Sequence, residues 1–330
     1  MKPASLDVFV CPGCNGDLRL RATASEGGEV LDGDLTCRAC GAVYPVTRGV
    51  PRFVTSGDYA GSFGHQWHWF REVQIDSRSH LSISDETLRS TTGWRDEEFR
   101  GRRLLDAGVG AGRFAECAAA KGAEVYGIDL TPAVDAAYQN IGRLPNVHLA
   151  QADIFALPVR RATFDLAYSI GVLHHTPNPP LAFTRVADTV APGGRLSVYV
   201  YSRYGPAHRA SDALRIVTTR LPLRAVWTLA AAAVPLYYVY RLPVVGRLFN
   251  LALPISMEPH WRWRWLDTFD WYTPTYQAKY LYPEVFRWFR DNGFDVVDLP
   301  DGPVRMTGVR RQPDGARRDG TRIDHTLVAS

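Results

Sequence analysis

Leu104-Leu-Asp-Ala-Gly-Val-Gly-Ala-Gly112 is the stretch of sequence that decides the fold. The two leucines and Asp106 predict a buried strand that ends in a carboxylate, and the three glycines predict a turn into a helix. Such a turn lets a ligand approach bare backbone beside a helix N-terminus. A dinucleotide fingerprint would need its third glycine where Arg113 stands, and a P-loop would need Gly-Lys-Ser or Gly-Lys-Thr, which the stretch lacks.

Acidic residues also end the next two predicted strands. Asp129 closes the apolar run 125–129 and lies 17 residues after Gly112. This is close to the spacing of roughly 20 residues at which an acid meets a ribose in nucleotide-binding βαβ units. Asp153 follows the third predicted strand. The third, fourth and fifth strands are predicted at 147–150, 164–169 and 196–201.

This succession of strands and acids resembles the class I S-adenosylmethionine-dependent methyltransferases, in particular the ubiquinone-biosynthesis type. The resemblance implies an α/β fold with a doubly wound seven-stranded sheet in the order 3-2-1-4-5-7-6, closed by an antiparallel hairpin at 294–299 and 304–309. It also implies that S-adenosylmethionine is the cofactor. The cofactor positions that it carries over to this chain are Asp106, Gly108, Gly110, Gly112, Arg113, Asp129, Leu130, Asp153, Ile154 and Ser169.

Four of the five cysteines form two Cys-x-x-Cys pairs, Cys11 with Cys14 and Cys37 with Cys40. Four thiolates at this spacing suit tetrahedral zinc. Nothing in the motif supplies an open coordination position, so we expect the zinc to be structural. Without a signal peptide, zinc in a reducing cytoplasm is favoured over disulfides. Residues 35–53 resemble the small zinc-ribbon domains that accompany or activate tRNA and protein methyltransferases.

The domain organisation follows from these motifs. We expect a zinc ribbon at 1–54, a bridging helical segment at 55–100, a methyltransferase domain at 101–310 and a mobile, arginine-rich tail at 311–330. In related enzymes an N-terminal helix closes over the cofactor. The resemblance therefore implies that aromatic residues of the bridging segment contact the cofactor, and the candidates are Tyr59 and Trp67.

An insertion at 202–282 precedes the last strand pair, and its first half, 221–257, is strongly apolar. The uncharged run 225–240 has 16 residues and contains Pro235. A membrane span needs about 20 residues, so a transmembrane helix is disfavoured. Two interpretations remain open. The segment is either a buried helical hairpin that caps the active site or a membrane-surface hairpin that meets a lipid-linked substrate.

The second half of the insertion and the helix after it are rich in aromatic residues, with twelve between 261 and 289. Most of them must belong to the core. The turn-rich stretch 267–274 is predicted to line an aromatic pocket for a small organic or sugar-bearing substrate. The substrate-binding candidates are Trp271, Tyr272 and Tyr276.

Methyl transfer to a hydroxyl or an amine requires a base. The candidates are His174 and His175, which follow the fourth predicted strand at the edge from which substrates approach in the resembled family. Both could instead pack or cap the next helix. Asn178-Pro-Pro-Leu181 lacks the aromatic residue and the position of an adenine or glutamine N-methylation signature, which weakens those two functions.

The favoured function is S-adenosylmethionine-dependent methyl transfer to a small molecule, a natural product or a glycoconjugate, most simply at oxygen. Methylation of an RNA base is the main alternative, because the ribbon and the arginine-rich tail favour RNA while the net charge of only +4 does not. A non-catalytic scaffold that keeps the cofactor pocket is a further alternative. Use of the cofactor for cyclisation or another group transfer also stays open.

Overall fold

The computed structural model describes residues 1–54, 72, 74–204, 207–300, 302 and 304–312. Within these ranges the chain forms a small antiparallel sheet near its N-terminus and a seven-stranded sheet that carries most of the core. Tyr59 and Trp67, together with the predicted tail from residue 313 onwards, lie outside the described residues. The predicted domain boundaries stay predictions.

The N-terminal sheet has four strands in sequence order and is antiparallel throughout. Its strands are β1 (Leu18–Glu26), β2 (Glu29–Cys37), β3 (Val43–Thr47) and β4 (Val50–Pro51). A 3₁₀ turn at Pro3–Asp7 precedes them. The Cys-x-x-Cys pairs lie at one end of this sheet, because Cys37 is the last residue of β2 and Cys11 precedes β1.

The large sheet confirms the predicted order 3-2-1-4-5-7-6. The strands run β7-β6-β5-β8-β9-β11-β10 across the sheet. Their bounds are β5 (Arg103–Ala107), β6 (Glu124–Asp129), β7 (Val147–Gln151), β8 (Phe164–Ile170), β9 (Val190–Tyr199), β10 (Phe294–Asp298) and β11 (Arg305–Arg310). Strands β5 to β9 pair in parallel, and β11 pairs antiparallel with both β9 and β10. Apolar side chains such as Leu104 and Leu105 are fully buried, as expected for strands covered on both faces.

Strand β9 differs from its predicted extent, because it begins at Val190 and ends at Tyr199. The Pro192-Gly-Gly194 segment, predicted as a turn before the strand, lies inside it. The pairing of β8 with β9 is irregular there, since Phe164 faces Val190 and Leu166 already faces Arg195. Gly193 has φ near +78°, which a glycine adopts without strain in such a bulge.

Helices cover both faces of the large sheet. Those in and around the parallel half are α1 (Asp76–Ser79), α2 (Ile83–Thr92), α3 (Arg113–Ala120), α4 (Ala133–Ile141) and α5 (Pro179–Ala187). Helix α5 begins at Pro179, with the Asn178 side chain accepting a hydrogen bond from the Leu181 amide and prolines in its first turn. Helix α11 (Tyr282–Asp291) precedes the closing hairpin.

The described part of the insertion forms five helices, α6 (Ala207–Thr218), α7 (Leu223–Ala230), α8 (Ala233–Tyr240), α9 (Pro243–Ala252) and α10 (Trp261–Tyr272). The interpretation of 221–257 as a buried hairpin holds for only part of the segment, in which Val226, Ala230 and Tyr240 are buried. Large apolar side chains of α7, α8 and α9, among them Leu229, Tyr238 and Leu248, are more than half exposed. Among the described helices none is both long and apolar enough to cross a membrane.

The N-terminal sheet packs directly on the β7 side of the large sheet. Phe9 pairs with Val159 in an isolated bridge, and the Phe53 amide donates to the Gln151 carbonyl oxygen. The Phe9 ring contacts Tyr126 of β6 edge-on at 5.8 Å between centroids. These contacts place the cysteine cluster and the large sheet on one continuous hydrophobic core.

Candidate functional site

The glycine turn between β5 and α3 exposes its backbone to a cavity of about 430 Å³. Gly108 has φ near +102°, and a Cβ atom there would come within 2.3 Å of the Val172 side chain. A side chain at this position would therefore both strain the backbone and collide with the Val172 side chain. Gly108 and Gly110 line the cavity, whereas Gly112 caps α3 and packs against Ile141 of α4.

Asp129 at the end of β6 holds the glycine turn in place. One of its carboxylate oxygens accepts a hydrogen bond from the Gly110 amide at 2.9 Å. The other oxygen accepts from the Thr131 amide and hydroxyl at 2.9 and 2.8 Å. The carboxylate thus has a fixed orientation on the cavity wall, beside Leu130.

Asp106 lies beneath the glycine turn and does not line the cavity. The Tyr168 hydroxyl donates to its carboxylate at 2.9 Å. Burial raises the pKa of Asp106 to about 7, and the Tyr168 hydrogen bond opposes this shift. The Asp106 carboxyl is therefore held by Tyr168 in the buried core near the end of β5.

The remaining predicted cofactor residues divide into two groups. Ile154 and Arg113 line the cavity. Asp153 and Ser169 do not, because the Asp153 carboxylate accepts from the Phe155 amide at the start of a 3₁₀ turn and the Ser169 hydroxyl donates to the Ala107 carbonyl oxygen. The hydrogen bond of Ser169 joins β8 to the end of β5, so this side chain supports the strand edge.

The opposite wall of the cavity comes from α10 and the residues before it. Glu258, Trp263, Asp267, Asp270 and Trp271 line it. Asp267 accepts from the Ser256 hydroxyl at 3.3 Å. Burial raises the pKa of Asp267 to about 7, while the positive charge of Arg113 opposes the increase. The cavity therefore has the glycine turn with Asp129 on one side and an acidic, aromatic wall on the other.

Arg113 lies between these two walls. Its guanidinium carbon is 4.2 Å from the centroid of the Phe114 ring and 5.8 Å from that of Trp263. Burial lowers the pKa of Arg113, and the carboxylates of Asp267 and Asp270 act in the opposite direction. The arginine thus offsets part of the negative charge on the α10 wall.

The two candidate histidines occupy different environments. His175 lines the cavity, and its Nδ1 donates to the Tyr276 carbonyl oxygen at 2.9 Å. His174 is fully buried against Tyr201, with 3.9 Å between ring centroids, and it does not line the cavity. Burial lowers the pKa of His174, and it lowers that of His175 to about 4. Both imidazoles are therefore neutral near pH 7.

The three aromatic candidates for substrate binding are also separated by the fold. Trp271 lines the cavity. Tyr272 points into the insertion, where its hydroxyl donates to the Pro254 carbonyl oxygen at 2.6 Å. Tyr276 has an exposed side chain and contributes its carbonyl oxygen to His175. Neither tyrosine lines the cavity.

Several cavity residues were not among the sequence candidates. Asp267 and Asp270 are three residues apart on α10, which is the spacing that places two side chains on one helix face. The spacing was visible in the sequence, but the direction of that face was not. Tyr199 and Tyr201 at the end of β9 also line the cavity. Gln74, Ile83 and Thr87 bring the segment before β5 to the same cavity.

The four cysteines of the N-terminal sheet form one cluster. Their sulfur atoms all lie within 4.8 Å of one another. The distance is 3.7 Å between Cys11 and Cys40 and 3.5 Å between Cys14 and Cys37. Four sulfurs at about 2.3 Å from one tetrahedral zinc ion would be roughly 3.8 Å apart, so the cluster fits zinc. The Tyr44 hydroxyl lies 3.2 Å from the Cys11 sulfur, as an outer hydrogen-bond partner would.

The comparisons with known families agree with both parts of this structure. Residues 105–198 match the methyltransferase domain family, and residues 2–49 match the Trm112p-like proteins. The chain carries a class I S-adenosylmethionine-dependent methyltransferase domain. It joins this methyltransferase domain to an N-terminal Trm112-like domain with a four-cysteine cluster.

The curated relatives are distant. An O-methyltransferase of Aspergillus nomiae is 29% identical over 43% of this chain and 64% of its own length. A ubiquinone biosynthesis O-methyltransferase of Aromatoleum aromaticum is 35% identical over 40% of this chain and 56% of its own length. The chain therefore spans less than two thirds of either relative.

A solved complex between the Trm112 methyltransferase activator of Haloferax volcanii and a methyltransferase is also similar. The alignment covers 78% of this chain and 100% of the matched chain of the complex, at 13% identity and a TM-score of 0.47.

Asp129→Ala is expected to weaken cofactor binding on the order of 100-fold, because two charge-assisted hydrogen bonds to the ribose and the anchor of the glycine turn are lost together. Calorimetric titration with S-adenosylhomocysteine measures the effect. Asp291→Ala, which removes an exposed carboxylate at the end of α11, is the control and should leave the affinity unchanged. Unchanged affinity in Asp129→Ala would contradict the ribose assignment.

Proposed function

We propose that the protein transfers a methyl group from S-adenosylmethionine to a hydroxyl of a small molecule or glycoconjugate. The observation that carries the proposal is the single cavity that joins the glycine turn to the acidic, aromatic wall of α10. Its volume of about 430 Å³ lies in the range of small-molecule sites. The enzyme has only to align and desolvate the two reactants in such a space.

The glycine turn, Asp129, Leu130 and Ile154 would hold the cofactor. The bare backbone at Gly108 and Gly110 lets the cofactor approach closely, Asp129 accepts hydrogen bonds from the ribose, and the two aliphatic side chains contact the adenine. Bound S-adenosylmethionine supplies a methyl group on a positively charged sulfur. Methyl transfer to a neutral hydroxyl releases one proton, so a base that lines the cavity has to receive that proton.

Asp267 is the residue that we propose as the base. It lines the cavity opposite the glycine turn, and its pKa of about 7 matches a base that works near neutral pH. As the acceptor oxygen bonds to the methyl carbon and the carbon–sulfur bond breaks, the hydroxyl proton passes to the Asp267 carboxylate. His175, whose pKa is about 4, remains neutral and positions the acceptor. In this proposal His174 packs against Tyr201 and takes no part in the proton transfer.

Two observations favour a small acceptor over RNA. Glu258, Asp267 and Asp270 give the acceptor side of the cavity a negative charge, which disfavours a phosphate backbone. Both relatives named above are O-methyltransferases of low identity. Methylation of an RNA base is the second candidate, and the match of residues 2–49 to Trm112p-like proteins favours it.

We further propose that the four-cysteine cluster holds one structural zinc ion. The four sulfurs complete a tetrahedron by themselves, which leaves no position for a substrate. Since Phe9 and the cluster share the core of the large sheet, loss of zinc should destabilise more than the ribbon.

The acceptor class can be identified with cofactor that carries a radiolabelled methyl group. The purified protein is incubated with host extract, and the products are separated into small-molecule, lipid, RNA and protein fractions. We expect the label in the small-molecule or lipid fraction, and we expect none with the Asp129→Ala variant. Label in the RNA fraction would contradict the proposal and support the second candidate.

The rate of methylation should increase with pH through about 7 in the wild type, because Asp267 acts as a base only when it is deprotonated. Asp267→Asn should lower the rate on the order of 100-fold and remove this step. The measurement is the initial rate against pH with the labelled acceptor fraction, and His175→Gln is the matched variant. A step that persists in Asp267→Asn and disappears in His175→Gln would assign the base to His175.

The purified protein should contain one zinc per chain by metal analysis. Cys14→Ser with Cys37→Ser should remove the metal and lower the melting temperature, because a structural zinc site contributes directly to folding. Cys117→Ala is the matched control, since this buried cysteine lies on α3 outside the cluster, and it should keep full zinc content. Full zinc content in the double variant would contradict the ligand assignment.

A further inference from the structure

The helices α6 to α9 of the insertion present an apolar surface to solvent, which we call the insertion face. Its most exposed members are Ile216, Val217, Leu229, Tyr238, Val244 and Leu248. Their exposed fractions range from 59% to 72%. Surface helices normally turn their apolar residues toward the core and their charged residues toward water. An apolar surface of this kind marks an interaction site.

Helix α9 departs most clearly from this normal arrangement, because its apolar side faces solvent. Val244, Leu248 and Leu251 recur at intervals of four and three residues, which places them on one side of the helix. All three are exposed, at 72%, 63% and 47%. The stripe that would bury α9 against a core therefore faces solvent. Helix α9 packs on α6 and α8, which carry other members of the insertion face.

The charge of this segment indicates what covers the face. One carboxylate lies on the four helices, Asp212 of α6, and it forms an ion pair with Lys279. From Asp212 to Glu258 the chain has no other aspartate or glutamate, and the stretch between these two acids contains five arginines. Arg220, Arg224 and Arg241 in this stretch are exposed. Apolar side chains combined with arginines, without carboxylates, are the composition of helices that bind an anionic membrane surface. A second copy of the chain would bring these arginines against one another without counter-charges.

The dimensions of the helices fit a surface location. The four helices have 12, 8, 8 and 10 residues, so the longest extends about 18 Å at 1.5 Å per residue. The hydrocarbon core of a bilayer is about 30 Å thick. The helices can lie in the headgroup region, but none can span the bilayer.

Helix α10 lies between the insertion face and the cavity. This helix packs on α6, α7 and α8, and the Trp265 indole donates to the Trp227 carbonyl oxygen at 2.9 Å. On its other side α10 lines the cavity through Trp263, Asp267 and Trp271. Whatever binds the insertion face therefore lies one helix away from the cavity.

We propose that the insertion face docks the protein on the surface of an anionic lipid bilayer. Helices α6 to α9 place their apolar side chains among the lipid headgroups and upper acyl chains, and the arginines pair with lipid phosphates. The docking is independent of methyl transfer, because it uses neither the glycine turn nor α10. Docking would bring acceptors dissolved in the membrane to within one helix of the cavity.

Flotation with phospholipid vesicles tests this docking without cofactor or acceptor. The wild-type protein should float with vesicles of phosphatidylcholine that contain phosphatidylglycerol, and only weakly with phosphatidylcholine alone. Val244→Asp with Leu248→Asp should lower vesicle binding about 100-fold, since two apolar side chains no longer enter the lipid. Val43→Asp with Val297→Asp is the matched control, because both valines are more than half exposed outside the insertion, and it should float like the wild type.

Reversal of charge tests the lipid class separately. Arg220→Glu, Arg224→Glu and Arg241→Glu together should abolish the preference for phosphatidylglycerol. Circular dichroism and melting temperature show whether each variant is folded. Failure of the folded wild type to float with either vesicle would overturn the proposal. A wild-type dimer in light scattering that Val244→Asp with Leu248→Asp converts to a monomer would also overturn it, since the face would then be a subunit interface.

Discussion

The hydrogen bond from the Gly110 amide to Asp129 joins the ends of two neighbouring strands, and the cofactor side of the cavity depends on it. A glycine turn alone would leave its amide groups without a fixed direction. The Asp129 carboxylate fixes the turn, and the Thr131 amide and hydroxyl fix the carboxylate in their turn. The parallel order of β5 and β6 makes this possible, because both strands end at the same edge of the sheet.

The acceptor side of the cavity is built in a different way. It comes mainly from α10, the last helix of the insertion, which lies over the end of the sheet. Its two acids, three residues apart, face Arg113 at the start of α3. The insertion therefore has two functions in this account. Its inner helix provides the acidic wall and the base, and its outer helices provide the surface that binds the membrane.

Much of the fold could be predicted from the sequence because the decisive signals are local. The glycine turn, the acids after successive strands and the two Cys-x-x-Cys pairs each occupy a short stretch, and the strand order follows from the family that they resemble. The cysteine cluster formed where expected, with Cys11 and Cys37 buried and Cys14 and Cys40 exposed.

The acceptor side was less predictable because it depends on which way a helix faces. His174 and His175 are adjacent in sequence, yet only His175 lines the cavity. Tyr272 belongs to the same helix as Asp267 but points into the insertion. The apolar run 221–257 could be assigned to a helical region. Its hydrophobicity could not show which side chains would be buried, and the structure buries Tyr240 while it exposes Tyr238.

The central claim is that one cavity holds the cofactor on the glycine turn and the acceptor against α10. A crystal structure of the protein with S-adenosylhomocysteine tests it most directly. We expect the ribose hydroxyls to contact Asp129 and the sulfur to face Asp267 and Trp271 across open space. A ligand bound outside this cavity, or a sulfur directed away from α10, would contradict it.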